Sequence, residues 1–189
     1  MNVALRKPMT LGEFLAWEER QPVRFEFDGV QPVAMTGGAV AHNRIMRRLH
    51  RSLERRLEGQ PCEPFGPDVK IIVDGRVRYP DAVVSCAPQR DNSQVIDNPV
   101  VVFEILSGST SRTDRIEKVR EYQATQSILR YVILEQDSIG ATVLEQRDES
   151  WAASTLTEGD RLFMPEIGVE ILLVELYADP RRLEPEPST

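Results

Sequence analysis

Cysteine and histidine are both scarce in this 189-residue chain, with two of each. Cys62 and Cys86 are too few, and too far from either histidine, to suggest a zinc site, so the sequence reads as carrying two reduced thiols in a cytoplasmic protein. Long apolar runs are also missing. No stretch approaches the roughly 20 residues a spanning helix needs, and residues 1–8 lack the apolar core of a signal peptide, so no membrane partner is expected. There is no internal repeat. A content of 41% hydrophobic and 28% charged residues suits one globular domain with a sizeable core. That domain is expected over residues 1–178, and the acidic, proline-rich residues 179–189 are expected to fray.

An excess of basic charge is lacking too. The net charge is −7, which argues against a nucleic-acid partner until its distribution is considered. Residues 135–189 hold 13 of the 30 acids and only 4 of the 23 bases, leaving 19 bases against 17 acids in residues 1–134. The acidity is therefore a C-terminal property.

The centre of the chain is the run Val100-Val101-Val102-Phe103-Glu104-Ile105-Leu106-Ser107, apolar and rich in β-branched residues. Bounded by Asn98-Pro99 and Ser107-Gly108-Ser109, it fits a buried central strand. A carboxylate inside such a strand is costly unless a metal ion, Lys or Arg meets it. A second apolar strand enters through Arg78-Tyr79-Pro80-Asp81, and a helix predicted over residues 114–126 carries Lys118. Asp114, Lys118 and Tyr122 share one face of that helix, one turn apart.

Before this centre, Thr10 caps a short helix with Glu13 completing a capping box. Leu11, Phe14, Leu15 and Trp17 are its core positions. Residues 23–27 and 30–35 pair about Asp28-Gly29 as a hairpin, and Glu26 stands out between Phe25 and Phe27. After Gly37-Gly38, a helix over residues 41–57 buries Ile45, Leu49, Leu53 and Leu57. Its remaining arc carries Arg44, Arg47, Arg48, Arg51, Arg55 and Arg56, a solvated face or a set of phosphate contacts. His42 lies at its N-terminal end, where the helix dipole keeps it neutral. Residues 61–67 read as a loop. Strands are predicted over residues 69–73 and 77–85, and beyond the centre over 128–134, 141–145 and 151–156, with a last apolar segment over 169–176. The pattern is α/β, a mixed sheet with helices packed on it.

Asp81 and Glu104 can lie side by side if their strands pair. Two such carboxylates form a hard-oxygen site suited to Mg2+ or Mn2+. The ordered set Pro80-Asp81, Glu104-Ile105-Leu106-Ser107, Asp114-x-x-x-Lys118-x-x-x-Tyr122 and Tyr131-Val132-Ile133-Leu134 resembles the Uma2 family, formerly DUF820, of bacterial restriction-endonuclease-like proteins in the PD-(D/E)XK nuclease superfamily. Phe25-Glu26-Phe27-Asp28-Gly29 is similar to that family's Tyr-Glu-Leu-x-x-Gly hairpin, and His42 falls where the family has a histidine. The resemblance covers roughly residues 9–176. It departs from the wider superfamily at Leu106, where a lysine is expected, and the family places that lysine on the following helix, at Lys118.

The resemblance implies a restriction-endonuclease-like mixed central sheet flanked by helices, with antiparallel hairpins at the edges. It implies a Mg2+- or Mn2+-dependent endonuclease acting on DNA, held by Asp81, Glu104 and the Ile105 carbonyl. Lys118 would orient water or stabilise charge, and Glu26 would add a carboxylate. His42, Arg44, Arg48, Arg51 and Tyr122 would face the substrate. A homodimer suits a duplex with two strands to cut. Two alternatives stand beside it: a non-catalytic nucleic-acid-binding or assembly module of the same fold, and an unrelated metal-dependent hydrolase acting on a small phosphoester.

Overall fold

A computed structural model describes residues 8–35, 37–106, 113–148 and 150–177. The segment expected to link the Glu104 strand to the next helix, residues 107–112, and the expected frayed tail lie outside the described residues.

Helix α1 (Leu11–Glu18) opens with the capping box: Thr10 Oγ1 accepts from the Glu13 amide, and Glu13 accepts from the Thr10 amide. Phe14 is fully buried, whereas Leu11, Leu15 and Trp17 are partly buried around it. Strands β1 (Phe25–Phe27) and β2 (Pro32–Ala34) form the expected hairpin. Helix α2 (Val40–Leu57) contains no glycine or proline and ends just before Gly59, whose φ of +74° is a conformation glycine adopts without penalty.

Strand β3 (Glu63–Phe65) lies inside the stretch read as a loop. Next come β4 (Ile71–Val73), β5 (Arg76–Arg78), β6 (Ala82–Ser85) and β7 (Pro99–Ile105). A single turn of π-helix, Thr113–Glu117, leads into the six-residue α3 (Lys118–Gln123). The helix proper therefore begins at Lys118, later than the sequence suggests. Strands β8 (Arg130–Leu134), β9 (Gly140–Arg147), β10 (Ser150–Thr157), β11 (Arg161–Met164) and β12 (Val169–Leu172) complete the chain. Strand β11 has no counterpart in the sequence reading, and the apolar segment 169–176 divides into β12 and a 3-10 turn, Leu173–Leu176.

The six-stranded central sheet runs β10-β9-β8-β7-β6-β3. All neighbours are antiparallel except β7 and β8, whose parallel pairing requires the crossover that α3 supplies. A four-stranded antiparallel sheet, β2-β1-β5-β4, and the β11-β12 hairpin stand apart from it, making the mixed α/β architecture expected. Alternation along β7 divides the core in two. Val101, Phe103 and Ile105 pack with Ile45, Leu49, Leu53 and Leu57 of α2. Val102 and Leu106 face the other way, with Tyr122 of α3, Tyr131 and Ile133. Glu104 lies between them in sequence, at a position that should be apolar.

The cysteines correct the sequence reading. Cys62 and Cys86 form a disulfide. They lie one step beyond the Glu63–Ser85 pair of the β3-β6 ladder, so the register that makes β3 a strand also brings the sulfurs together.

Candidate active site

Glu104 is 5% exposed, and so is the residue that neutralises it. Lys118 Nζ donates to Glu104 Oε1 at 2.6 Å, and Tyr122 Oη donates to the same oxygen at 3.1 Å. Both donors come from α3, one turn apart. Burial first, and then the Glu104 and Glu26 carboxylates, push the Tyr122 phenol well above its usual pKa, with Arg78 opposing. Tyr122 is thus a permanent donor to Glu104 at ordinary pH.

Asp81 approaches from the neighbouring strand. Ala82 pairs with Phe103, so the next step of the antiparallel register sets Asp81 opposite Glu104. Its Oδ2 accepts from the Ile105 amide at 2.7 Å and lies 3.1 Å from His42 Nε2. His50 Nε2, two turns further along α2, donates to the Asp81 carbonyl at 2.8 Å. Both histidines of the chain therefore hold the residue after Pro80. Gly38 leaves room for the first of them, because a Cβ there would stand 3.0 Å from His42 Nδ1.

Glu26 closes the cluster from the hairpin sheet. Its Oε1 accepts from the Tyr79 amide at 3.2 Å and lies 3.5 Å from Lys118 Nζ. Its Oε2 accepts from Arg78 at 3.1 Å. Arg78 is 2% exposed and grips Glu121 of α3 through two further bonds, of 2.7 and 2.6 Å. Burial alone would lower the Arg78 pKa, but the Glu121 hydrogen bonds and the charges of Glu26 and Glu121 outweigh it and hold the guanidinium protonated. Glu26 is not the solvated outward side chain that its place between two phenylalanines allowed.

Among the described residues Arg76, Arg78 and Lys118 thus pair with Glu26, Glu104 and Glu121, while Asp81 meets the Ile105 amide and His42. The carboxylates are hard-oxygen donors in a partly desolvated place, which fits a divalent cation such as Mg2+ or Mn2+. Asp81 and Glu104, side by side on neighbouring strands, are the carboxylates that could hold such an ion.

The structure brings together Glu26, His42, Asp81, Glu104, the Ile105 amide, Lys118 and Tyr122. It does not bring the arginines of α2 to them. At about 100° per residue, Arg44 and Arg51 lie roughly 160–180° around the helix from His42, and both are exposed. Arg48 donates to the Tyr177 carbonyl at 2.5 Å. The Asp114 side chain lies outside what the structure describes. Arg78, Glu121 and His50 were missed by sequence reasoning. Glu121, three residues after Lys118 and hence on an adjoining arc of the helix, was the one available signal.

Comparison with known proteins bears on the family and the fold. The family model Uma2, described as "Putative restriction endonuclease", matches residues 11–174. The uncharacterized Synechocystis protein slr1290 is 32% identical over 169 residues, covering 87% of this chain and 89% of its own length. A second uncharacterized Synechocystis protein, sll1609, is 28% identical over 141 residues, covering 72% and 80%. A crystal structure from Anabaena variabilis, described as "a putative nuclease belonging to DUF820", shares the fold with a TM-score of 0.74 at 14% identity, over 90% of this chain and 98% of that one. A family model spanning nearly all of the described fold, and a relative aligned along most of both lengths, establish that this chain belongs to the Uma2 family.

Proposed function

We propose that the Asp81, Glu104 and Lys118 group hydrolyses phosphodiester bonds of DNA with the help of a divalent cation. The observation that carries this reading is the buried Lys118 ammonium 2.6 Å from Glu104, on the strand beside Asp81. Lysine on a helix after the strand, rather than at Leu106 on the strand, supplies the cationic group that phosphoryl chemistry needs. The bound cation would supply a lowered pKa for water and charge neutralisation at the phosphate.

Each residue has a role its surroundings support. Asp81 presents a carboxylate whose Oδ2 is fixed by the Ile105 amide and His42, leaving Oδ1 to meet a cation. Glu104 and Lys118 form a buried pair whose ammonium would stabilise the charge that develops on the phosphate. Tyr122 keeps Glu104 oriented while it does so, and Glu26 holds the ammonium from the other side. His42, 15% exposed beside Asp81, is the proton carrier or phosphate contact at the rim. A duplex with two strands to cut would suit a homodimer, and a DNA partner would suit a cytoplasmic place, against which the Cys62–Cys86 disulfide speaks. No helix among the described residues is long and apolar enough to cross a membrane.

Incubating the protein with plasmid DNA and Mg2+ or Mn2+ tests the reading. Cleavage by the wild type, lost in Asp81→Asn and in Glu104→Gln with the fold retained, is the expected result. Equal cleavage by wild type and Glu104→Gln would dismiss it. A non-catalytic binding module is the second reading, favoured by one observation: Glu104 Oε1 already holds two donors. DNA binding without cation-dependent cleavage would select it.

A further inference from the structure

Helix α3 has six residues, too few to be stable alone, so its rotation must be imposed by what it packs against. Tyr122 is one anchor, fully buried and edge-on to Tyr131 with ring centroids 4.7 Å apart. Glu121 is the other, held by both arms of the Arg78 fork at 2.7 and 2.6 Å. A fork fixes a carboxylate in direction as well as distance. The same guanidinium reaches Glu26 at 3.1 Å, and Glu26 faces Lys118. Arg78 therefore touches both things that determine where the Lys118 ammonium lies: the helix that carries it and the carboxylate behind it.

We infer that Arg78, through its fork to Glu121 and its bond to Glu26, is the positioning residue that aims Lys118 at Glu104. The inference rests on the nuclease reading for its catalytic consequence, but not for its geometry. Arg78 lies on β5 in the hairpin sheet, whereas Glu104 lies on β7 in the central sheet. Arg78 thus also ties the hairpin sheet to the helix crossing over the central one. Glu121 has a second partner, Arg76 Nε at 3.3 Å, but that contact is single, comes from a side chain 32% exposed, and does not fix rotation.

Arg78→Lys and the double variant Arg78→Met/Glu121→Met test this. The lysine keeps a cation between Glu26 and Glu121 and loses the fork. The double variant leaves no unpaired charge at position 121, so it folds even if the single variant does not. Two readouts are needed: steady-state cleavage with Mn2+, and NMR of the protein carrying 15N-lysine, in which a buried, hydrogen-bonded ammonium gives a Nζ signal that exchanging surface lysines do not. Assignment by Lys118→Arg identifies the signal, and Lys70, buried beside Glu18, serves as the internal control. The expected result in both variants is loss of the Lys118 signal with the Lys70 signal kept. Whatever the fall in the melting temperature of Arg78→Lys, kcat falls about 100-fold, the usual cost of a displacement of about 1 Å, at a KM within twofold. An intact Lys118 signal in the folded variants would overturn the inference. So would a lower melting temperature with unchanged kcat, which would make Arg78 merely structural. If the wild type does not cleave DNA, the nuclease reading fails, and the NMR result alone decides the role of Arg78.

Discussion

Replacing Lys118 by Met probes the Glu104 pair at the point where burial makes it most costly to break. Both side chains are 6% exposed and joined at 2.6 Å, so removing the ammonium takes away the cation that neutralises a carboxylate inside the fold, while the Tyr122 bond stays. Breaking a buried pair from one side costs about 3–5 kcal/mol. The Tyr122 bond that remains points to the lower half of that range. For a domain of this size about 2–4 °C of melting temperature accompanies each kcal/mol, so a fall of roughly 6–15 °C is expected. The double variant Lys118→Met/Glu104→Gln should recover most of the loss, because a neutral amide still accepts from Tyr122 and leaves no charge stranded. Urea denaturation of wild type, both single variants and the double variant, at pH 7 with a chelator present, gives the coupling energy directly. At least about 2 kcal/mol is expected. Additive effects, or a single-variant cost under about 1 kcal/mol, would mean that the pair is not buried and bonded as described, and the argument built on it would fail.

The Cys62–Cys86 disulfide closes a span of 24 residues, for which loop entropy gives about 3.5 kcal/mol. Cys62→Ser/Cys86→Ser should therefore melt roughly 7–14 °C lower than the oxidised protein, and reductant should lower the wild type alone, as differential scanning calorimetry can show. Burial pushes the Tyr177 phenol up to about 12. The folded state therefore keeps a proton that the unfolded state releases from about pH 10, and stability is lost as pH rises from about 10 to 12, at no more than about 1.4 kcal/mol per pH unit. Tyr177→Phe should remove that part of the slope in denaturation curves across this window, and an unchanged slope would contradict it. Arg44→Ala/Arg51→Ala should alter the slope of log affinity for DNA against log salt by less than the roughly 0.9 expected of one phosphate contact on B-DNA. A shift of about 1.8 would return both arginines to the substrate.

Much of the fold was legible because hydrophobic alternation is a local property. The β7 run announced a central strand, and the four-residue spacing of Ile45, Leu49, Leu53 and Leu57 announced the buried face of α2. The need of Glu104 for a cation was legible as well, since a carboxylate among valines admits few explanations. Strand β3 was hidden because Pro64 reads as a loop residue. As an edge strand β3 needs only one side of its ladder, and proline is tolerated there. The disulfide was hidden with it, since only the β3-β6 register brings Cys62 to Cys86.

The site divides along the same line. Asp81, Glu104 and Lys118 are singled out by motif order, which carries the family pattern in the chain itself, and they do lie together in the fold. Arg78 and Glu121 are 43 residues apart and meet only when the hairpin sheet packs against α3. Only the spacing of Glu121 from Lys118 hints at its place, and nothing local marks Arg78 as buried. The arginines of α2 are the opposite case, because a basic helix is conspicuous in sequence whichever way its basic face turns, and here that face turns away from the carboxylates. His42 and Arg44 are two residues apart and lie on nearly opposite sides of the helix.

The central claim, that Asp81 and Glu104 hold a cation beside Lys118, is tested most directly by anomalous diffraction from crystals of the wild-type protein grown or soaked in Mn2+. A manganese peak within bonding distance of carboxylate oxygens of both Asp81 and Glu104, with Lys118 still adjoining, is the result the account predicts. An empty position at saturating Mn2+, with the ammonium unmoved on Glu104, would contradict it.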